Sequence, residues 1–309
     1  MSIHIGISPI SWQNDDLPQL TAAYTMEQAL QEARTIGYTG VERGRRMPQD
    51  TQGLRTYLAD NELALCGGWC SGNLMNSSLA EEKQAIAQQV EQFVALGSPC
   101  LVYAECSNTV QGNQAVAVND RPKLTRDDIS RYAEKLSELA RWTASQGLVL
   151  AYHHHMGSMI EDQDDVDWLM EGSSDDVTLL FDTGHLHFGG ADVLRTLDTW
   201  GHRVRHVHFK DVREDVMARA RQENMSFLDA VIAGVFTVPG DPQGCIDFQG
   251  VTDMLRKQDY AGWIVVEAEQ DPAKAPPYEY ANMGYEHIVK ICQRSGLMIN
   301  SNNNGLEKS

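Results

Sequence analysis

Densely apolar runs alternate along this chain with stretches whose apolar residues recur every three or four positions. The dense runs, read as strands, are Ile3–Ser8, Gly40–Arg43, Leu63–Trp69, Cys100–Glu105, Leu148–His153, Val177–Asp182, Val204–Lys210 and Trp263–Ala268. The periodic stretches include Met26–Ile36, Ala80–Leu96, Asp127–Ser145 and Phe248–Gln258. In the third of these, Ile129, Tyr132, Ala133, Leu136, Leu139 and Ala140 form one helical stripe. Gly37, Gly97 and Gly147 stand where helices must stop, just ahead of the next strand. Strand and helix alternating in this way predict a closed parallel (β/α)8 barrel, an α/β fold, rather than a bundle or a sandwich. No GxGxxG follows the first strand, which removes the main support for a dinucleotide-binding open sheet.

The chain of 309 residues is long enough for one such barrel, expected over residues 1–300 as a single catalytic domain. An insert at about 212–247 separates the last two strands. Its first part, Glu214–Ile232, reads as helix, and Pro239-Gly240-Asp241-Pro242 then forces a turn. Loops that follow barrel strands lie at the catalytic face, so the insert is expected either to cover the site or to elaborate the surface. The polar stretch 301–309 is expected to be a disordered tail.

Charge narrows the partners. Lys and Arg number 25 against 43 Asp and Glu, a formal net charge of −18. That balance repels phosphate backbones and anionic lipid, so neither nucleic acid nor a membrane surface is an expected partner. The N-terminal run lacks the basic and apolar regions of a signal peptide, and no stretch approaches the roughly 18–20 apolar residues that span a bilayer. Six cysteines without a CxxC pair read as reduced thiols, and the expected compartment is the cytoplasm.

Candidate chemistry lies at the strand ends, where barrel side chains converge on one mouth. The sixth strand ends in Asp182 and the eighth in Glu267, each closing an apolar run. The seventh carries His206, His208 and Lys210 on one face through the period of two, and the fifth ends in His153-His154-His155, with His154 pointing away from the other two. An Asp, a His and a Glu ending consecutive strands form a constellation for a divalent metal, and His153 would supply a fourth donor. Mn²⁺, Co²⁺, Zn²⁺ and Fe²⁺ all tolerate such a donor set. Other strand-end residues are candidates for substrate contact: Glu42, Glu105, an aromatic wall of Trp12 and Trp69, and His185, which could instead position the metal carboxylate. Glu42 has an alternative in an ion pair with Arg43 or Arg45.

The runs FDTGHLHFGG, HVHFKDV, PGDPQGCIDF and VVEAEQD resemble those of the xylose-isomerase-like metal-dependent TIM barrels, a superfamily of sugar epimerases, endonuclease IV and 3-dehydroshikimate dehydratases. More narrowly, GISPISWQNDD, GVERGRR, GGWCSG and AYHHHMG resemble the inosose dehydratase family of myo-inositol catabolism, over roughly residues 3 to 295. The resemblance implies metal ligands at Asp182, His208 and Glu267. It places His153 where the superfamily usually has a glutamate, which leaves His153 as ligand, proton shuttle or substrate contact.

The resemblance further implies removal of water from 2-keto-myo-inositol (scyllo-inosose) to a trihydroxycyclohexane-1,2-dione, with Mn²⁺ or Co²⁺ as the metal and an association with glutathione. The substrate would be a small cyclic polyol ketone, and a homo-oligomer is left open. For that chemistry, His155 or His153 is expected to move the proton, Lys210 to act as an electrostatic clamp on the developing oxyanion, and Glu267 to compete as base. The alternatives are a metal-dependent isomerase or epimerase on the same barrel, a non-catalytic carbohydrate-binding barrel, and a Schiff-base aldolase using Lys210.

Overall fold

The structure, a computed structural model, describes residues 2–300, so the expected tail at 301–309 lies outside the described residues. Its strands are β1 (Ser2–Ile7), β2 (Gly40–Glu42), β3 (Ala64–Gly67), β4 (Trp69–Gly72), β5 (Cys100–Glu105), β6 (Val149–His153), β7 (Val177–Asp182) and β8 (Val204–Phe209). An antiparallel pair of short strands, β9 (Asp211–Val212) and β10 (Phe236–Thr237), follows, then β11 (Trp263–Val266) and β12 (Met298–Ile299). The sheet runs β3–β2–β1–β11–β8–β7–β6–β5–β4, with parallel pairing throughout, and β12 adds to β1.

The single strand expected over Leu63–Trp69 is two strands, and the break is what closes the barrel. Gly67 O accepts from Arg43 N on the β2 side, while Gly68 O accepts from Val102 N on the β5 side. Adjacent carbonyls thus serve opposite neighbours. Gly67 has φ +153°, and a Cβ there would lie 3.3 Å from Glu42 Oε1 and from the His206 ring. A Cβ on Gly68 would stand 2.8 Å from that of Arg43.

Helices cover the outside as their stripes require. The helix Met26–Ile36 has its expected bounds, and capping boxes start the helices at Leu79, Arg126 and Gln163. The insert differs from its expectation: Glu214–Gln222 and Phe227–Ala233 are separate helices, parted by Asn224 at φ 51°. No helix among the described residues is long and apolar enough to cross a membrane.

The burial pattern separates the two faces of each strand. Leu101, Tyr103, Leu150, Tyr152, Leu179 and Phe181 join the large core shared with the helices. Cys100, Val102, Ala151 and Leu180 form a small cluster of their own. By parity, Ala151 leads to His153 and Leu180 to Asp182, so the inner apolar floor continues upward into polar residues.

The loop after β6 is held by buried charge. Arg121 Nε lies 3.4 Å from Glu161 Oε1, and its Nη2 lies 2.5 Å from Asp162 and 2.6 Å from Asp165. Glu161 accepts from Gly157 N at 2.6 Å. Burial pushes Glu161 up to about 7 despite Arg121. A carboxyl raised in the folded state contributes stability at low pH that is lost as pH rises through the folded value. Wild-type stability should therefore lose up to about 3 kcal/mol from this group between about pH 4.5 and 7. Glu161→Gln should match the wild type near pH 5 and exceed it near pH 8 in urea unfolding. Parallel curves would remove Glu161 as the cause.

Candidate metal centre at the barrel mouth

Strand register brings four donors together. Asp182 pairs with His208 across β7 and β8, and His153 and Glu267 enter from β6 and the end of β11. One ligating atom from each of His153, Asp182, His208 and Glu267 lies within 4.8 Å of the others, and all four residues are buried. Asp182 ends β7 and caps the helix Thr183–Gly189, its Oδ1 accepting from His185 N at 2.8 Å. Its Oδ2 is left for the centre, 3.3 Å from His208 Nδ1 and 4.0 Å from His153 Nε2. His208 Nδ1 also stands 3.1 Å from Glu267 Oε2. Asp182 Oδ2 and His208 Nδ1 are buried without a hydrogen-bond partner. Two imidazoles and two carboxylates, with converging unsatisfied atoms, fit a divalent cation.

The second layer of contacts orients these ligands. Glu42 Oε1 lies 3.0 Å from His208 Nε2 and 2.9 Å from His206 Nε2, so it fixes the outer face of the ligand imidazole. Burial disfavours its ionisation, but His208 and His206 hold the Glu42 carboxyl well below its usual range. Burial likewise opposes charge on His208, yet Glu267 and Glu42 outweigh it and raise the imidazole above its ordinary value. Three acids thus face one histidine, an electrostatic setting that calls for positive charge.

Lys210 supplies part of it. The side chain is fully buried, with Nζ 2.7 Å from Glu267 Oε1, 2.7 Å from Glu269 Oε2 and 3.6 Å from Asp182 Oδ2. It also lies 3.0 Å from His185 Nε2. Burial would lower its pKa, but Asp182, Glu267 and Glu269 raise it instead. An amine held as ammonium has no lone pair for imine formation, which counts against the aldolase alternative. Gly184 is required above it, since a Cβ there would lie 2.5 Å from Lys210 Cγ.

A cavity of about 460 Å³ opens over the centre, within the range of small-molecule sites. His153, His155, His208, Glu267 and Glu269 line its floor, Trp69 a side, and Gln13, Asp16, Arg43 and Gln111 its polar walls. His155 Nδ1 lies 2.8 Å from the Met156 carbonyl, which can only accept. The proton therefore sits on Nδ1, leaving Nε2 with its lone pair in the neutral ring. Burial lowers the His155 pKa while Glu269 opposes that shift. His155, His185 and Glu269 form a second buried cluster, with the two rings 3.9 Å apart. Phe227 of the insert packs on His155 at 5.3 Å, and Phe236 on His185 at 5.1 Å. The insert therefore roofs the rear of the site.

Several candidates fall elsewhere than expected. Trp12 does not form a cavity wall: it is fully buried and donates its indole N–H to Glu32 at 2.6 Å. The 3-10 turn Pro9–Ser11 carries the chain off the β1 line before Trp12 is reached. Glu105 is also turned away, accepting from Ser107 N at 3.0 Å and Met75 N at 3.3 Å. His185 lies behind the cavity floor, against Lys210 and Glu269, rather than among its lining. Lys210 is similarly behind its carboxylates, which places it as a support for Glu267 rather than at an open oxyanion position. Trp69 does line the cavity, its ring edge-on to His153 and His155 at 5.7 and 5.5 Å. Glu269 was not singled out from the sequence, although it shares the parity of Glu267 two residues on.

A model of the xylose isomerase-like TIM barrel family matches residues 30–290 of the chain. The "Rhizopine catabolism protein MocC" of Rhizobium meliloti is 40% identical over 97% of this chain and 92% of its own length. The proteins named "Inosose dehydratase" of Glaesserella parasuis serovar 5 (strain SH0165) and Geobacillus thermodenitrificans (strain NG80-2) are each 40% identical over 94% of this chain. The alignments cover 98% and 97% of those two proteins. Among solved structures, the IolI protein with a binding zinc atom superposes with TM-score 0.68 at 14% identity, covering 94% of this chain and 99% of that one. The probable 3-DHS dehydratase AsbF from Bacillus anthracis superposes with TM-score 0.67 at 11% identity, covering 93% and 98%. At such identities the two structures speak for the fold alone.

Proposed function

Since this chain belongs to the xylose isomerase-like TIM barrel family and, within it, to the inosose dehydratases, we propose that it is a carbon–oxygen lyase that removes water from 2-keto-myo-inositol. The product is a trihydroxycyclohexane-1,2-dione, formed first as its enol. The observation that carries this reading is the buried quartet His153, Asp182, His208 and Glu267, three of which line the cavity with Asp182 directly behind them, beside a histidine whose free nitrogen is fixed by its tautomer.

The four residues would hold a divalent cation, and Mn²⁺ or Co²⁺ suits their mixed nitrogen and oxygen donors. When bound, such an ion supplies Lewis-acid polarisation of the ketone oxygen. Every proton movement falls to the chain's own side chains. His155 accepts the α-proton of the ketone at Nε2, the imidazolium being stabilised by Glu269. It then returns that proton to the departing β-hydroxyl, so water leaves and no net charge accumulates. Glu267 is less suited to act as the base, because both its oxygens already face Lys210 and His208. Lys210 positions Glu267 and Glu269 without touching substrate. Trp69 offers a flat apolar face to the C–H side of a cyclitol, while Asp16, Arg43 and Gln111 face its hydroxyls.

Chelator-treated protein supplied with scyllo-inosose should show growing ultraviolet absorbance of the conjugated dione only after Mn²⁺ or Co²⁺ is restored. An isomeric sugar in place of the absorbing product would replace the lyase by an epimerase. Metal-independent turnover would sink the reading altogether. His155→Gln should lower kcat about 10²-fold while metal content is unchanged. Near-wild-type turnover of that variant would move the proton step to another residue.

A further inference from the structure

A further cluster of metal-ligating side chains, His187, Glu214 and Cys245, lies outside the barrel mouth. His187, on the helix that Asp182 starts, meets Glu214 and Cys245 from the two ends of the insert. His187 Nε2 is 2.9 Å from Glu214 Oε2 and 3.3 Å from Cys245 Sγ, and Sγ is 3.6 Å from the same carboxylate oxygen. Ligand atoms about 2.0–2.3 Å from a tetrahedral ion stand roughly 3.3–3.7 Å apart; the two distances to Cys245 Sγ already match, and the His187–Glu214 pair, now at hydrogen-bond length, needs to open by a few tenths of an ångström. A cavity of about 420 Å³ adjoins the cluster, lined by His187 and Cys245 together with Asp192 and Asp247.

We propose that His187, Glu214 and Cys245 form a second, zinc-type metal site that ties the two ends of the insert to the barrel. The donor set distinguishes it from the centre at the mouth, which has no sulfur. The three ligands come from segments far apart in sequence and are brought together only by the fold. Alternative roles for the cysteine fit less well. Burial and the nearby Asp211 and Glu214 carboxylates push its thiol up to about 12, so it is protonated and a poor nucleophile at neutral pH. The same carboxylates favour a cation, whose binding would release the thiol proton to solvent and leave Sγ as a thiolate ligand. His187 would turn its Nε2 lone pair to the ion and keep its ring proton on Nδ1. The insert carries Phe227 and Phe236, which pack on His155 and His185, so the tie would hold the packing behind these histidines in place.

Co²⁺ is the probe, because only a thiolate ligand gives it an intense near-ultraviolet charge-transfer band. The full-length protein, stripped by chelator and titrated with Co²⁺, should show this band, and Zn²⁺ should bleach it. Cys245→Ser should abolish the band, while Cys106→Ser, at the half-buried thiol of the main cavity, should retain it. His187→Asn and Glu214→Gln should each weaken Co²⁺ binding at this site at least tenfold. A wild-type protein without the band, a band that survives Cys245→Ser, or affinity unchanged in both His187→Asn and Glu214→Gln would overturn the proposal. The readout does not depend on turnover or on occupation of the mouth.

Discussion

Asp182→Asn is expected to fold normally, lose its metal and lose at least about 10³-fold in turnover, equivalent to about 4 kcal/mol in the barrier. The substitution separates the residue's two roles. An asparagine keeps an oxygen at the Oδ1 position, so it still caps the helix Thr183–Gly189 through His185 N. At the other branch it replaces Oδ2 with an amide that presents hydrogens to the His208 and His153 nitrogens. An amide nitrogen is a poor metal ligand, and the negative charge that balances the ion is gone. Metal content by elemental analysis, circular dichroism and kcat together test this. A folded variant that retains both metal and turnover would remove Asp182 from the centre.

Lys210→Met should cost about 3–5 kcal/mol of stability and roughly 10 °C in Tm for the metal-free protein. Methionine fills most of the same volume, so the loss is electrostatic rather than a cavity. Glu267 and Glu269 would be left at 4–8% exposure without the ammonium now 2.7 Å from each. Because its folded-state pKa is raised, Lys210 contributes stability that persists until pH climbs above its ordinary value, so the wild type should show no loss from this group across neutral pH. In the variant the two carboxylates lose the cation between them, and the metal-free fold should be destabilised accordingly. Restoring the metal should recover part of the loss, since the ion neutralises Glu267. A metal-free variant as stable as the wild type would show that the ammonium is not what holds these acids.

The sequence made the strand-end chemistry legible wherever a side chain belongs to the strand itself. Asp182, His208 and His153 lie within β7, β8 and β6, and parity along those strands places them on the inner face. Trp12 and Glu105 show where that reasoning stops. Trp12 lies past a 3-10 turn, beyond the reach of any two-residue period. Glu105 ends β5, but its carboxylate is captured by local backbone N–H groups, which periodicity does not register. The pairing of Glu42 with His206 and His208 joins residues on strands that are not adjacent in the sheet, across the barrel interior. Such a contact depends on closure and leaves no mark in local sequence. The break falls at the Gly67-Gly68 pair, a turn signal in the sequence that the apolar residues on both sides, Leu63–Cys66 and Trp69-Cys70, outweigh when the stretch is read as one strand.

The seam between β1 and β11 has a consequence for how the molecule is made. His4 pairs in register with Trp263, about 260 residues later, whereas the other edge of β1 meets β2 much sooner. At roughly 5–20 residues per second of synthesis, β1 leaves the ribosome about 10–50 s before β11 exists. During that interval one side of an apolar strand has no partner on its own chain. The nascent protein is then most exposed to strand-to-strand capture by other molecules, a hazard that ends only when the final barrel strand arrives.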